Sequence, residues 1–238
     1  MSHLDPRSTT FFAAAEHEAG QAPARRALGD EIYETLLSRL ISLAIAPGSR
    51  IAVDALVREL GVSQTPIRAA LIRLENEGLV VKTHNVGYSA AAMPTRERFE
   101  QIYDMRMLLE PYAAAKAATS MDESALAELK ALAQSMETVS GGNAQVAYGK
   151  FALQDAKFHA WIAACGGNEL IAETLSRLHA HMHLFRLRFH SRVTEEAITE
   201  HARIVDALFA HDPDAAHAAM AHHIECSRER MAPFFDGF

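Results

Sequence analysis

Cysteine is scarce in this chain of 238 residues, which has only Cys165 and Cys226. Two cysteines so far apart exclude a disulfide scaffold and a cysteine-rich zinc site, and they fit a reducing compartment. Long apolar runs are also missing, since no stretch approaches the roughly 18 residues that indicate a membrane span. The run Phe11 to Ala15 is too short for the core of a signal peptide. We therefore expect a soluble, cytoplasmic protein.

Aromatic side chains are also few, at 7% of the residues, although 49% of the chain is apolar. Much of the apolar content is alanine, which favours helices and adds little to a sheet. We therefore expect a mostly α protein with a real core. An excess of positive charge is lacking too, because the formal net charge is −7. Any nucleic-acid function must therefore rest on local features.

The N-terminal part of the sequence predicts a tail followed by two helices. Residues 1–27 mix proline, glycine, serine and charge without a period, which is typical of a mobile tail. From Leu28, apolar residues recur at three- and four-residue spacing, which predicts a helix. Pro47 and Gly48 end this helix with a turn, and a second, short helix follows from about Val53.

The segment GVSQTPIRAALIRLENEGLV predicts a third helix with clearly marked ends. Gly61 supplies a turn and Ser63 is a favourable N-cap. Pro66 falls in the first turn, where a missing N–H costs nothing. Gly78 is placed to end the helix as a C′ glycine. Two short apolar stretches around His84 then predict a hairpin.

The order helix, helix, turn, helix, hairpin is that of a winged helix-turn-helix, which we place over residues 28–92. In this fold the third helix enters the DNA major groove with its first residues facing the bases. Hydroxyl and N–H groups suit phosphate oxygens, while amide and guanidinium groups suit base edges. The candidate DNA contacts are Ser63, Gln64, Thr65, Arg68, Lys82 and His84. The alternative is a small helical subdomain with polar outer faces.

Residues 93–238 predict an all-α bundle. The predicted helices cover 95–119, 123–139, 144–165, 168–190, 194–210 and 213–233. Helix breakers stand between several of them, at 140–143, 166–168 and 211–213. The predicted fold class is therefore mostly α, with a winged helix-turn-helix followed by a helical bundle.

Histidine is abundant, with 13 residues, most of them from His159 onward. Asp155 and His159 stand four residues apart, so they share a helix face. His201 and His223 lie on either side of a tight turn, so an antiparallel helix pair would place them at the same height. One carboxylate and three imidazoles suit Zn²⁺ or another borderline divalent ion. The alternative is that these are ordinary, partly buried helix residues.

The run HAHMHLFRLRFH offers rival candidates. Four of its residues share one helical face: His179, His183, Arg186 and His190. They form further ligands, a polar wall of the same cavity, or a solvated stripe. Three arginines are candidates for binding the carboxylate of a small ligand: Arg106, Arg186 and Arg230. For Arg106 the alternative is an ion pair with Glu110, one helical turn later.

With these residues in view, the chain resembles the GntR family of bacterial transcription regulators, FadR-type subgroup, whose C-terminal ligand-binding domain is called FCD. In the first domain the resemblance rests on APGSRI, GVSQTPIRAALIRLENEGLV and VGY. In the second it rests on YDMRMLLEPYAAAKAA, DAKFHAWIAACGGNEL and the pattern EH…AL…D…A…M..HI. It covers roughly residues 28–235.

The resemblance implies a homodimer that binds operator DNA through the third helix and the wing. It also implies an organic-acid effector at Arg106 and a divalent metal, which is zinc or alternatively nickel or manganese. The implied metal ligands are Asp155, His159, His201 and His223. Two positions depart from the family, because Gln64 and Asp54 stand where arginines occur in other members. We therefore expect a different operator preference and no DNA contact from Asp54.

We thus expect a DNA-binding regulator that is not an enzyme, has no membrane partner, and responds to a small carboxylate at its metal centre. One alternative is a metal-dependent hydrolase whose Asp/His₃ centre keeps an open coordination position. Such an enzyme has no need for the winged segment, and no motif places a general base beside the histidines. A regulator with a purely structural metal is the other alternative.

Overall fold

The first helix, α1 (Gln21–Ile41), starts earlier than the sequence predicts. The computed structural model describes residues 21–137, 144–178, 180–186 and 191–235. The predicted helix start at Leu28 is wrong, because residues 21–27 of the predicted tail already belong to α1. Pro23 lies in the first turn, where a proline is tolerated. The rest of the predicted tail lies outside the described residues.

Helix α1 is the first helix of the predicted winged helix-turn-helix. The elements that follow it, which we call the winged unit, are β1 (Arg50–Ile51), α2 (Val53–Leu60), α3 (Gln64–Asn76), β2 (Val80–Thr83) and β3 (Gly87–Ala90). The three strands form one antiparallel sheet in the order β1-β3-β2. The hairpin of β2 and β3 is the predicted wing. Strand β1 is missed by the sequence, because two residues carry no readable period.

Helix α3 has the predicted ends and one buried face. Its buried residues are Ile67, Ala70, Leu71 and Leu74. Gly78 has φ 73°, and the N–H of Leu79 donates to the carbonyl oxygen of Leu74 at 2.9 Å. This left-handed glycine and back-bond are the usual way to end a helix. Ser63 is the N-cap residue, but its hydroxyl makes no capping hydrogen bond, so it does not hold the start of the helix.

The remainder of the described chain is helical, as predicted. The helices are α4 (Arg96–Ser120), α5 (Glu123–Glu137), α6 (Ala144–Cys165), α7 (Glu169–Leu178), α8 (Ala180–Phe185), α9 (Ser191–Phe209) and α10 (Pro213–Met231), and a 3₁₀ turn (Ala232–Phe235) follows. Helices α7 and α8 occupy the single helix predicted over 168–190, of which 179 and 187–190 lie outside the described residues. The predicted break at 140–143 also lies outside them. None of the described helices is long and apolar enough to span a membrane.

Helix α1 connects the winged unit to the bundle, because it packs against both α3 and α6. At the contact with α6, a Cβ on Gly149 would lie 3.0 Å from the Cα of Ser38. Arg186 makes a second connection by donating to the carbonyl oxygens of Ala91 and Ala92, at 2.7 and 3.4 Å. These two residues lie between β3 and α4, where the sequence places the domain boundary. That boundary stays a prediction.

Candidate metal centre and nucleic-acid interface

Three imidazoles meet inside the helical bundle: those of His159 on α6, His201 on α9 and His223 on α10. One ring nitrogen of each lies within 4.8 Å of the others, and the three residues are 4%, 1% and 3% exposed. The ring centroids of His201 and His223 are 4.6 Å apart, so the two helices around the tight turn do bring these residues to the same height. A dry group of three imidazoles is a donor set that borderline divalent ions prefer.

Asp155 adds a carboxylate to this group. It lies one turn before His159 on α6 and is 2% exposed. Its Oδ1 atom is 3.3 Å from Nε2 of His201. The structure therefore brings together all four residues that the sequence nominates as metal ligands.

Two further carboxylates stand behind the imidazoles. Oε2 of Glu110 lies 2.5 Å from Nδ1 of His159, and Oε2 of Glu200 lies 2.8 Å from Nδ1 of His223. A carboxylate can only accept at Nδ1, so it selects the tautomer whose Nε2 carries the lone pair. Burial lowers the pKa of His223 although the Glu200 hydrogen bond raises it, which favours the neutral, metal-binding imidazole.

The sequence analysis misses the role of both carboxylates. Glu110 enters it only as a possible partner of Arg106, four residues earlier. Glu200 is not nominated at all, because it pairs with His223, which lies 23 residues away on another helix. Glu200 directly precedes the nominated ligand His201 in the chain. This gives no reason to nominate it, because consecutive residues of a helix face different directions.

Arg106 lies beside the centre and is 1% exposed. Its Nε donates to Oε1 of Glu110 at 2.6 Å, so the predicted alternative of an intrahelical pair is present. The pair is buried, and Glu110 uses its other oxygen for His159, so the arginine is linked to the imidazoles. No described residue accepts a hydrogen bond from Nη2 of Arg106.

The other nominated arginines are bound elsewhere. Both Nη atoms of Arg230 donate to the carboxylate of Glu200, with Nη2 at 2.8 Å from Oε2. Arg230 therefore stands behind the carboxylate that holds His223. The hydrogen bonds of Arg186 run to the backbone between β3 and α4. His183 is half-buried on α8, and the other two nominated histidines of that run, 179 and 190, lie outside the described residues.

A cleft of about 320 Å³ opens beside the centre. His159 and Glu110 line it, together with Lys157 and Glu77. The rest of its lining is mostly small or apolar: Leu153, Ala156, Ala160, Ala172, Leu175, Ser176 and Ala180. Glu77 is the C-cap residue of α3, and both of its carboxylate oxygens accept from the hydroxyl of Tyr33 on α1, at 2.8 and 2.9 Å. One cleft thus touches both the imidazole centre and the end of α3, which is the recognition helix of the winged helix-turn-helix.

The nominated DNA contacts lie together on the surface of the winged unit. All six are exposed: Ser63, Gln64, Thr65, Arg68, Lys82 and His84. A second cleft, of about 420 Å³, runs between α2, the start of α3 and the wing. Arg50, on β1, also lines it and is exposed, which adds a cation that the sequence analysis misses. This face combines guanidinium, ammonium and amide donors, the groups that bind phosphates and base edges.

Two family models match the chain. The model described as bacterial regulatory proteins, gntR family, matches residues 28–89, and the FCD domain model matches residues 101–225. A probable D-xylose utilization operon transcriptional repressor of Paenarthrobacter nicotinovorans is 30% identical over 192 residues, or 77% of this chain and 82% of the relative. The Nta operon transcriptional regulator of Aminobacter aminovorans is 27% identical, over 78% of this chain and 85% of the relative.

Solved structures show the same fold. A putative transcriptional regulator GntR from Rhodococcus sp. RHA1 has a TM-score of 0.62 at 23% identity and covers 86% of this chain and 97% of its own. Escherichia coli McbR/YncC has a TM-score of 0.61 at 20% identity and covers 88% of this chain and 98% of its own. The chain belongs to the GntR family of bacterial transcription regulators and carries a C-terminal FCD domain.

Proposed function

We propose that this DNA-binding transcription regulator controls operator binding through a small organic acid, which it senses at a divalent metal ion. The observation that carries the proposal is the buried group of three imidazoles, two of them backed by carboxylates, beside an open cleft. Zinc suits this donor set best, with nickel or manganese as alternatives. The bound ion would supply a Lewis-acid site for a ligand carboxylate.

The proposed ligands of the ion are Asp155, His159, His201 and His223. Glu110 and Glu200 fix the orientation of two imidazoles, as carboxylates behind metal-bound histidines commonly do. All four proposed ligands are at most 4% exposed, so the ion would sit away from bulk water except where the cleft reaches His159.

Arg106 is the proposed partner of the effector carboxylate. A buried N–H without an acceptor costs free energy, and Nη2 of Arg106 has no acceptor among the described residues. A ligand carboxylate would supply a charge-assisted hydrogen bond there. Arg186 and Arg230 are weaker candidates, because their guanidinium groups already donate to the linker backbone and to Glu200.

The cleft offers a route from effector to operator. A ligand in it would lie against His159 on one side and Glu77 on the other, and Glu77 joins α3 to Tyr33 of α1. A ligand shifts operator affinity only if it binds two arrangements of the winged unit unequally. Because Glu77 lines the cleft and caps α3, a movement of α3 would change the contacts of the ligand, so the two arrangements would bind it unequally.

On the DNA side, we assign the start of α3 to the major groove and the wing to the neighbouring backbone. Ser63 and Thr65 would contact phosphates, and Gln64 and Arg68 would face base edges. Lys82 and His84 would approach the backbone from the wing. A homodimer would place one such unit on each half of a roughly palindromic operator.

The metal content of purified variants tests the proposal. After loading with Zn²⁺ and desalting, elemental analysis should find about one ion per wild-type chain, as for a single structural or ligand-binding site. His201→Ala should lose the ion. His222→Ala is the matched control, because His222 is exposed and next to His223 in the chain, and it should keep the ion. Full zinc content in His201→Ala would refute the site.

A further inference from the structure

A chain of hydrogen bonds connects α2 to the start of α3. Nε2 of Gln64 donates to Oδ1 of Asp54 at 2.8 Å. Two N–H groups of Arg68 donate to Oε1 of the same glutamine, with Nη2 at 3.2 Å and Nε at 3.4 Å. All three side chains are exposed and line the cleft between the helices and the wing.

The two neighbours fix the orientation of the Gln64 amide. An ionised carboxylate only accepts hydrogen bonds and a guanidinium only donates them. The NH₂ group must therefore face Asp54, and the oxygen must face Arg68. A glutamine amide that is free at a surface can turn by 180°, and this one is held from both ends.

The fixed orientation limits which bases Gln64 can read. Glutamine recognises adenine with both amide atoms, since its oxygen accepts from N6 and its nitrogen donates to N7. Here both acceptor positions of the oxygen face N–H groups of Arg68, and one N–H of the nitrogen is bound to Asp54. A single N–H donor is left over, which suits N7 of either purine, guanine O6 or thymine O4 equally, so the two-bond contact that would favour adenine is lost.

We infer that Asp54 is a positioning residue that sets base preference in the operator without contacting DNA. It holds the amide nitrogen of Gln64, which directs the amide oxygen to Arg68 and removes the bidentate contact by which glutamine would favour adenine at the base pair that it faces. The same arrangement steadies Arg68 for guanine. The inference rests on the proposed placement of the start of α3 in the major groove.

Three variants of the full-length protein test the inference. Each would be used to select binding sites from a random duplex pool, and relative affinities would then be measured for probes with each base at each operator position. Asp54→Ala removes the acceptor and the charge. Asp54→Asn removes the charge but keeps an oxygen acceptor for Nε2 of Gln64. Arg68→Ala tests the placement in the groove.

Asp54→Ala should favour adenine at one position of each half-site, with a gain over wild type of roughly tenfold in relative affinity, the scale of one bidentate base contact. Asp54→Asn should keep the wild-type base preference. Apart from base preference, both variants should bind all sequences more tightly by a common factor, because a negative charge near phosphates is lost. Melting temperature and zinc content should stay unchanged in both variants.

Two results would overturn the inference. One is a wild-type base preference in Asp54→Ala, and the other is the same altered preference in Asp54→Asn, which would assign the effect to charge alone. Arg68→Ala separates this failure from that of the proposed function. Arg68→Ala should abolish specific operator binding. Unchanged binding would contradict the placement of α3 in the major groove, and the inference about Asp54 would fail with that placement.

Discussion

At the scale of single residues, buried charges are arranged in two short chains that end on imidazoles. In one, Arg106 contacts Glu110, which contacts His159. In the other, Arg230 contacts Glu200, which contacts His223. Burial alone would raise the pKa of Glu200, but hydrogen bonds from His223 and Arg230 hold that pKa below its ordinary value. The carboxylate of Glu200 therefore stays ionised and accepts a hydrogen bond from the imidazole. In both series of contacts the buried carboxylate lies against a guanidinium group, which offsets the cost of burying its charge.

Glu200→Gln should weaken zinc binding. The amide has less acceptor strength at Nδ1 of His223 and removes the closer of two negative charges beside Arg230, and loss of such a backing carboxylate typically costs 10–100-fold in metal affinity. The measurement is a competition titration with a zinc chelator. Glu196→Gln is the control, because Glu196 lies one turn earlier on α9, 3.8 Å from Nη1 of Arg230 and 45% exposed, and should bind zinc normally. Equal weakening in both variants would contradict the role given to Glu200.

The grouping of the four proposed ligand residues could be predicted because their positions follow sequence rules. Asp155 and His159 share a helix face by spacing, and the breaker after α9 places His201 and His223 across a hairpin. The backing carboxylates follow no such rule, since each joins two helices whose relative rotation is set by packing. The ion pair between Arg106 and Glu110 does not exclude a place for Arg106 beside the centre. Glu110 contacts Arg106 with one carboxylate oxygen and His159 with the other.

At the scale of secondary-structure elements, the position of α1 decides how the winged unit meets the bundle. The helix contributes Tyr33 to the end of α3 and Ser38 to the contact with α6. The close approach at Ser38 is possible because Gly149 has no side chain. The sequence predicts both helices but not this contact. An isolated glycine such as Gly149 is tolerated inside a helix, so its presence alone does not indicate that another helix packs closely against it.

Gly149→Val should destabilise the protein by about 1–3 kcal/mol, the usual cost of forcing extra methyl groups into a packed contact. Urea unfolding measures this change. Gly29→Val is the control, because Gly29 also lies inside a helix, here α1, but no described atom lies within 4 Å of the position that its Cβ would take. That variant should stay within about 0.5 kcal/mol of wild type. Equal stability of the two variants would contradict the close approach of α1 and α6.

Element ends were the least predictable part of the fold. The end of α3 is an exception, because Gly78 ends the helix as predicted and its left-handed backbone conformation strongly favours glycine. The start of α1 was predicted seven residues late, because residues 21–27 contain proline and arginines without an apolar period. Strand β1 forms because it pairs with β3, and a sequence of two residues does not reveal such a distant pairing.

At the scale of the whole molecule, the cleft that we propose as the effector site lies between the imidazole centre and the end of α3. Its lining combines His159 and Glu110 of the imidazole centre with Glu77 of the recognition helix. Burial raises the pKa of Glu77, although its hydrogen bond from Tyr33 and the charge of Arg73 lower it. A ligand that fills the cleft therefore meets a carboxylate held between α1 and α3. The central claim is that a small organic acid binds there and needs the metal to do so.

A thermal-melt panel tests this claim most directly. Mono-, di- and hydroxycarboxylates would be added at fixed pH and salt to the zinc-loaded wild type and to His201→Ala. A ligand at 100 times its Kd stabilises by roughly 2.7 kcal/mol, or about 5–10 °C in Tm for a chain of this size. We expect at least one acid to give such a shift in the zinc-loaded protein and none in His201→Ala. A flat panel with zinc confirmed in place would contradict the claim and leave the metal a structural role.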